Sequence, residues 1–438
     1  MLLIYTTRRN ARLEYTLGIV MEKILGLKWK WTHDCEEFLL AEGPRLAYCM
    51  ENPGGGPFLQ ADGLLFETRI TPCNPINSDY RGFPVIFQTT HPDSILPFDP
   101  LAASFYLVSR YEEYLPHNKD QYGRFPMRES IAWQGNFLHR PVVHEWAALF
   151  LEAMKKIYPS LQGHPECYRY LPTIDIDHAY AYLARPLIRT TAGAARDLIH
   201  GRWHELEQRL QVLTGMTTDP YDNYQFIREV HLPYGQQVLW FILFANYGGN
   251  DNNIPTRSKS MARLLRDLDS ENTVGIHPSL SSGKHPHRLT SEIEGLSTLL
   301  KRTITTGRQH FLKISMPDTY RNLLQEGILE DFSMGYASHP GFRAGMATAF
   351  PFFDLLQDEI TPLVIHPVPL MDVTMMDYLR LTPEKALKKI AETVASVRSV
   401  QGEFVSLWHN ESLGDSGRWK GWRRVYKEMV RLASTQAG

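Results

Sequence analysis

Residues 173–177 read Thr-Ile-Asp-Ile-Asp, at the end of an apolar run that begins near residue 171. Alternate residues of a strand face the same side, so a strand here turns the carboxylates of Asp175 and Asp177 toward one surface. Two close carboxylates repel each other unless a cation lies between them or one of them is protonated. A divalent metal ion meets this requirement, with one carboxylate as ligand and the other as base. A structural turn in which Asp177 caps a helix is the alternative, and the motif alone leaves both open.

Strand and helix patterns alternate along the chain after this pair. Strand candidates occur at 171–176, 237–244, 273–277, 308–314, 328–332, 362–367 and 403–408. Helical patterns occupy 187–212, 221–230, 258–269, 289–305, 317–326, 383–399 and 420–433. This alternation predicts parallel βαβ units. Seven such units favour a barrel or barrel-like closed sheet, although a doubly wound sheet has a similar pattern.

A separate domain is predicted at the amino terminus. Its elements are a strand at 2–6, an amphipathic stretch from 13 to 25, strand-like runs at 45–50 and 84–88, and helices at 99–114 and 141–157. The segment 158–170 carries Pro and Gly and predicts a boundary. A chain of 438 residues also exceeds the roughly 250–300 residues that one core serves well. The predicted fold is α/β: a seven-stranded (β/α) barrel-like domain at 165–438, preceded by a smaller α/β domain of unknown function at 1–160.

Composition excludes several classes of protein. The formal charge of −2 gives no electrostatic reason to expect nucleic acid. None of the four cysteines forms a C-x-x-C pair, so neither a disulfide framework nor a cysteine zinc site is expected. We see no signal peptide, and the most apolar stretch, 238–245, is far shorter than the roughly 20 residues that span a bilayer. A cytoplasmic protein without a membrane span is expected.

Polar side chains collect near the ends of the predicted strands, where the active site of a parallel α/β barrel lies. Core packing explains the set poorly, although each residue alone has a buried, hydrogen-bonded alternative. The residues in question are Asp175, Asp177, Asn246, His277, Arg308, His310, Asp331, His366 and His409.

In this order the motifs resemble the polysaccharide deacetylase (NodB homology) superfamily, carbohydrate esterase family 4 in the broad sense, over residues 165–435. Residues 173–177 match its T-x-D-x-D motif and residues 407–409 match its L-x-H motif. The resemblance implies that Asp175 is the general base and that His409 is the general acid. It implies further roles: Asp177 and His277 as metal ligands, Arg308 as the residue that orients the base, and Asp331 as the fourth motif's aspartate.

Longer phrases resemble a divergent bacterial subgroup that carries its own amino-terminal domain. These phrases are Arg-Gln-His-Phe-Leu, Asp-Phe-Ser-Met-Gly-Tyr-Ala, Gly-Phe-Arg-Ala-Gly and Leu-Trp-His-Asn, beginning at residues 308, 331, 341 and 407. The resemblance implies no function for the extra domain.

The chain departs from the family at one ligand. The family's second motif is H-[S/T]-x-x-H, but Ser281 stands four residues after His277. A serine hydroxyl replaces an imidazole ligand poorly. His310 is the favoured third ligand, His285 is the second choice, and a site that binds metal weakly or not at all is the third.

The resemblance therefore predicts a metal-dependent hydrolase that removes an acetyl group from a carbohydrate, N-acetyl more readily than O-acetyl. One divalent ion, with zinc favoured, would activate water and polarise the carbonyl. Asn246, Arg343 and Trp408 are the candidate substrate-binding residues. Two alternatives stay open: a catalytically silent carbohydrate-binding barrel, and an amide hydrolase of the same fold that acts on a non-sugar substrate.

Overall fold

The structure is a computed structural model of the chain, and it describes residues 1–248, 251, 253–271 and 273–435. The strands are β1 Leu2–Tyr5, β2 Trp29–Thr32, β3 Arg45–Cys49, β4 Phe58–Gln60, β5 Ser78–Tyr80, β6 Phe83–Val85, β7 Arg169–Ile176, β8 Leu239–Ile242, β9 Val274–Ile276, β10 Thr306–Gly307, β11 Glu330–Met334, β12 Phe350–Asp354, β13 Glu359–Pro367, β14 Leu370–Met371 and β15 Glu403–His409. The helices are α1 Ala11–Leu17, α2 Cys35–Leu40, α3 Pro100–Val108, α4 Tyr111–Tyr114, α5 Ile131–Gln134, α6 Val142–Ile157, α7 Leu187–Ile199, α8 Trp203–Leu213, α9 Tyr224–His231, α10 Lys259–Leu268, α11 Pro286–Leu300, α12 Asp318–Gln325, α13 Pro383–Ser399 and α14 Trp422–Ser434.

A curled, mixed sheet forms the centre of the carboxy-terminal part. Within the described residues it has nine strands, in the order β12-β13-β11-β10-β9-β8-β7-β15-β14. All neighbours pair in parallel except β12 and β13, which are antiparallel. The predicted α/β class is confirmed, but seven strands are not found and the sheet does not close. The strands β12 and β14, at the two edges of the sheet, were not predicted and account for the two additional strands.

The fourth predicted strand, 308–314, is wrong. The strand β10 is only two residues long, and the chain turns directly after it. The turn contains Phe311 at φ 62° and Leu312 at φ 50°, in the left-handed region that non-glycine residues rarely adopt. An apolar run cannot reveal such a turn, because it depends on contacts made elsewhere in the chain.

The predicted helices are found with shifted ends. The segment 187–212 is divided into α7 and α8 at Gly201, which has φ 65°. The helix predicted from Asp99 begins as expected, because the Asp99 carboxylate accepts from the backbone N–H groups of Leu101 and Ala102. It stops at Ser109 and resumes as α4, since Arg110 is left-handed at φ 56°. No helix in the described part of the chain combines the length and apolarity that a bilayer crossing requires.

The amino-terminal part has its own four-stranded sheet, in the order β2-β1-β3-β4. It nevertheless shares one continuous apolar core with the larger sheet. The backbone N–H of Val143 in α6 donates to the carbonyl of Gly345 at 3.1 Å, and the Tyr15 hydroxyl donates to the carbonyl of Pro351 at 2.7 Å. A Cβ at Gly345, which has φ 65°, would lie 2.8 Å from the Leu107 side chain. The glycine-rich phrase at 341–345 therefore lets the two parts pack closely, and a division near residue 160 stays a prediction.

A buried ion network crosses the same contact. The Glu113 carboxylate of α4 accepts from Arg343 at 2.9 and 2.7 Å and from Arg110 at 2.8 Å. All three side chains are almost fully buried. Burial opposes ionisation of Glu113, but Arg343 and Arg110 outweigh it and hold the pKa of the carboxyl below its usual value. Both guanidinium groups are almost fully buried, so bulk solvent cannot take the place of this carboxylate.

We expect Glu113→Gln to lower the free energy of unfolding by about 3–5 kcal/mol, since it leaves two buried cations without their shared partner. Urea unfolding followed by tryptophan fluorescence measures the loss. The control is Glu392→Gln, which breaks an exposed pair with Lys389 of 2.8 Å and removes the same charge. Equal unfolding midpoints for the two variants would show that the network is not structural.

Candidate active site

Three side chains converge at the carboxyl ends of the central strands. Asp177 follows β7, His277 follows β9 and His310 follows β10. The His277 Nε2 atom lies 3.2 Å from Asp177 Oδ1, and the His310 Nε2 atom lies 3.4 Å from Asp177 Oδ2. One candidate ligand atom from each residue lies within 4.8 Å of the other two. These are the distances expected of groups that surround one small cation.

The orientation of the His277 ring is fixed by a hydrogen bond on the side away from Asp177. Its Nδ1 atom donates to the carbonyl of Arg308 at 2.6 Å, which leaves the Nε2 lone pair directed at Asp177. Close approach of the strands makes this possible. A Cβ at Gly275 would lie 2.6 Å from the Thr306 hydroxyl and 2.9 Å from the Phe241 ring. Glycine is therefore required where β9 passes its neighbours just before His277.

The orientation of His310 depends on a residue from another loop. Its Nδ1 atom lies 3.3 Å from the Asp251 carboxylate, which also accepts from the backbone N–H of Leu280. This contact places the proton on Nδ1 and leaves Nε2 facing Asp177. The hydroxyl of Ser281, four residues after His277, instead lies 2.9 Å from the Ser279 hydroxyl.

The charges around Asp177 fit a cation. Burial opposes ionisation of Asp177, but His310 and His277 outweigh it and hold its pKa well below the usual range. Burial also opposes the His310 cation, but Asp177 raises the pKa of that imidazole to about 9. Within the described residues the Asp177 Oδ1 atom is buried and has no hydrogen-bond partner. A divalent ion would supply what the carboxylate lacks and would displace the imidazole proton.

Asp175 lies beside this cluster and is held by an arginine. The Arg308 guanidinium donates to Asp175 Oδ1 at 2.7 Å and to the carbonyl of Phe332 at 2.7 Å. It also lies over the Phe241 ring, 4.5 Å from its centre. The second oxygen, Oδ2, is 3.8 Å from His277 Nε2. Arg308 thus fixes the rotation of the carboxylate and leaves one oxygen on the side of the cluster.

His409, at the end of β15, completes the group. Its Nδ1 atom lies 2.9 Å from Asp372 Oδ1, and its Nε2 atom lies 3.9 Å from Asp177 Oδ2. Asp372 also accepts from the Ser412 hydroxyl and from the His409 backbone N–H. Burial disfavours the imidazolium, but Asp372 outweighs it and raises the pKa of His409 to about 10. Asp372 therefore favours the protonated form of His409.

A cleft of about 190 Å³ opens over these residues. One side of it is apolar and continues the small core cluster beneath. The outer part is polar and charged. The apolar side is formed by Leu312, Ala337, Met371, Val373 and Leu407, and the polar part includes Gln309, Asp377, Tyr378, Glu411 and Arg418.

The amino-terminal part also reaches the cleft. Arg124 lines it and donates to the carbonyl of Phe311 at 2.9 Å. The Tyr122 ring stacks on the Phe311 ring at 5.1 Å. Both contacts fall on the left-handed turn that carries His310, so this segment supports the shape of the site.

Two of the predicted catalytic and ligand positions need correction. Asp331 is fully buried outside the cleft, where its carboxylate accepts from the backbone and hydroxyl of Ser333. The Ser333 hydroxyl in turn accepts from the Gln309 backbone N–H at 2.8 Å, so Asp331 supports the turn after β10. Burial raises the pKa of Asp331 to about 6. His285, the alternative ligand, is exposed and stands apart from Asp177 and His277.

The predicted substrate-binding residues do not line the cleft. Trp408 is fully buried, and its ring packs against Trp422 and Tyr426 on the far side of β15. Arg343 is buried in the ion network with Glu113. Asn246 is exposed and is not among the residues around the cleft. The buried His366 stacks on Phe332 and bonds Glu403, as the packing interpretation expected.

Three residues of the site were missed by sequence reasoning. Asp372 follows the two-residue strand β14, which has too little pattern to be recognised. Asp251 lies in a polar loop, and Arg124 lies in the part of the chain to which no chemistry was assigned. The sequence carries one indication of Asp372, since this aspartate directly follows the apolar Pro-Leu-Met at 369–371 and could have been recognised as a strand end.

We expect His310→Ala to weaken zinc binding by about a hundredfold or more, because it removes one of three protein ligands. His285→Ala is the matched control and should bind zinc as the parent does, since that side chain lies outside the cluster. Competition with a chromophoric chelator measures both affinities. Equal loss in the two variants, or loss in His285→Ala alone, would transfer the third ligand to His285.

Comparison with known proteins gives limited matches. A family model described as a family of unknown function (DUF7033) matches residues 2–159. No curated protein matches the chain. A solved structure named as a polysaccharide deacetylase, from Mycobacterium smegmatis, is similar at 16% identity and a TM-score of 0.40, over 60% of this chain and 84% of that one.

Two further solved structures are similar to the chain. The allantoinase Puue has 8% identity and a TM-score of 0.38, over 59% of this chain and 83% of its own. A protein named as a polysaccharide deacetylase, from Pseudomonas aeruginosa PAO1, has 8% identity and a TM-score of 0.39, over 69% of this chain and 90% of its own.

Proposed function

We propose that the protein is a metal-dependent hydrolase that removes an acetyl group from a carbohydrate, N-acetyl more readily than O-acetyl. One observation carries the proposal. A candidate metal cluster, an arginine-held carboxylate and a histidine bound to a buried aspartate all face the same cleft. Hydrolysis of an acyl group needs these three functions: an electrophile, a base for water and an acid for the leaving group.

Asp177, His277 and His310 are the residues that would hold the metal. Two imidazoles and one carboxylate suit zinc, although cobalt, nickel and iron bind similar sets. When bound, such an ion polarises a carbonyl group and lowers the pKa of water. Asp251 and the carbonyl of Arg308 keep the two imidazoles turned toward the cluster.

Asp175 is the proposed general base. Arg308 occupies one of its oxygens and leaves the other beside the candidate ligands, where an attacking water would lie. The carboxylate takes a proton from this water as the oxygen attacks the acetyl carbon. The hydrogen bond from Arg308 fixes the rotation of the Asp175 carboxylate and prevents it from turning fully toward the candidate metal ligands.

His409 is the proposed general acid. Asp372 keeps it protonated and presents its Nε2 atom to the cleft. An amine leaves an acyl carbon readily only after it gains a proton, whereas an alcohol depends on this less. A strongly protonated histidine therefore favours an N-acetyl over an O-acetyl substrate.

The walls of the cleft suit an acetylated sugar. The apolar side formed by Leu407, Met371 and Ala337 offers a place for a methyl group next to His409. The outer part offers donors and acceptors for hydroxyl groups, among them Tyr378 and Gln309. The match of Asp175, Asp177, His277 and His409 to the deacetylase motifs supports the same substrate class.

We expect Asp175→Asn to keep its metal and to lose about a hundredfold or more in kcat, because an amide cannot take the proton from water. Release of acetate from acetylated chito-oligosaccharides measures the rate, and metal content measured in parallel shows that the site stays formed. Turnover at the parental rate would exclude Asp175 as the base. Zinc-loaded parent protein that hydrolyses small cyclic amides, but no acetylated sugar, would favour the non-sugar amide hydrolase.

The second kinetic prediction concerns pH. His409 acts while protonated, so the rate should fall as pH rises through its pKa. Asp372→Asn removes the carboxylate that raises this pKa, and the alkaline limb of the kcat/KM profile should move to lower pH. Asp377→Asn removes a carboxylate at the rim of the same cleft and serves as the control. An alkaline limb that stays in place in Asp372→Asn would show that His409 is not the acid.

A further inference from the structure

A second cleft, of about 440 Å³, lies beside the helical hairpin formed by α7 and α8. We call it the arginine cleft, after the four arginines that line it. Among the described residues around it there is no aspartate or glutamate. Its principal lining residues are Arg185, Arg189, Arg196, Arg209, Tyr247 and Asn253.

The positive charge in this cleft is only partly balanced. Arg209 donates to Asp197 at 2.6 Å, but its Nε atom is buried without a hydrogen-bond partner in the described structure. Arg189 lies over the Tyr247 ring at 3.6 Å and donates to a backbone carbonyl. Arg185 donates to the Tyr180 carbonyl at 3.4 Å, and burial lowers the pKa of its guanidinium. Cations that converge in this way repel one another until an anion joins them.

A buried ion pair joins the two helices of the hairpin. Asp197, which pairs with the buried Arg209, is the one fully buried residue of α7 among those described. The apolar residues of that helix face solvent instead, with Ile188 exposed to 82% and Ile199 to 80%. An ordinary surface helix buries its apolar stripe. The helix α7 therefore turns polar residues inward, and Arg189 and Arg196 of this helix line the cleft.

The arginine cleft adjoins the candidate active site. His178 lines it and directly follows Asp177 in the chain. The His178 Nδ1 atom lies 3.5 Å from Glu411, which lines the other cleft. Asn253, also in the lining, donates to the carbonyl of Leu243 just after β8. The two clefts are therefore neighbours along the same strand ends, and the contact between His178 and Glu411 separates them.

We propose that the arginine cleft binds a phosphate group carried by the substrate, so that the acetylated sugar is part of a phosphate-linked glycan. This inference rests on the proposed function of the neighbouring cleft. Guanidinium groups bind phosphate through paired, charge-assisted hydrogen bonds. A phosphate has enough oxygens to meet several arginines at once, whereas a carboxylate has two. The same phosphate chemistry occurs in soluble sugar phosphates and in lipid headgroups.

The test is a titration of the full chain with inorganic phosphate and with N-acetylglucosamine 1-phosphate. Metal is first removed with a chelator, so that phosphate cannot bind an ion in the active site. Arg189→Gln and Arg196→Gln should each weaken binding by about tenfold, because each removes one charge-assisted contact. Arg202→Gln is the matched control, since Arg202 is exposed, lies between the two helices and is absent from the cleft lining.

Co-sedimentation with vesicles distinguishes the source of the phosphate. Soluble ligands that bind, with no retention on phosphatidylglycerol vesicles, indicate a soluble sugar phosphate. Retention on phosphatidylglycerol but not phosphatidylcholine vesicles, lost in Arg189→Gln and kept in Arg202→Gln, indicates a lipid headgroup. The proposal is overturned if no phosphate probe binds, or if the three variants lose affinity equally.

The two proposals fail separately. Phosphate binding is measured without turnover, so a protein that binds phosphate but hydrolyses no acetylated sugar contradicts only the proposed function. A protein that deacetylates neutral sugars and binds no phosphate probe contradicts only the phosphate site.

Discussion

Arg308 stabilises the candidate site by separating two carboxylates, Asp175 and Asp177, that would otherwise repel each other. Its guanidinium binds Asp175, while its carbonyl accepts from His277 and turns that imidazole toward Asp177. Asp175, in β7, is thereby paired with a guanidinium, whereas Asp177, just after β7, faces two imidazoles. This division of charge depends on the fully buried position of Arg308 over the Phe241 ring, where water does not weaken its contacts. The close approach of β9 and β10, which Gly275 permits, brings the residue there.

The parts of this arrangement that the sequence predicts are those set by local geometry. Strand periodicity places Asp175 and Asp177 on one side, and strand ends place His277 and His409 near them. His310 comes instead from the family resemblance, in which the second histidine is missing at Ser281 and His310 is favoured over His285. Asp372 and Asp251 were not predicted, because they meet their histidines 37 and 59 residues away in the chain. Contacts over such separations leave no periodic pattern.

The alternation of side chains along a strand explains why the prediction of Trp408 as a substrate-binding residue was wrong. His409 faces the cleft from β15, so the preceding Trp408 must face the opposite side, where it packs on α14. The misplaced fourth strand has another origin. Phe311 and Leu312 have apolar side chains typical of a strand, but their backbone is left-handed. Tertiary contacts decide the conformation there, and local preference does not.

The contact of Tyr122 and Arg124 with Phe311 has a consequence for how this protein can change. A segment of the amino-terminal part packs on the turn that presents His310. The geometry of the cleft therefore depends on packing from the amino-terminal part as well as on the central sheet. We expect substitutions at Tyr122 or Arg124 to shift His310 through this turn, although neither residue belongs to the central sheet.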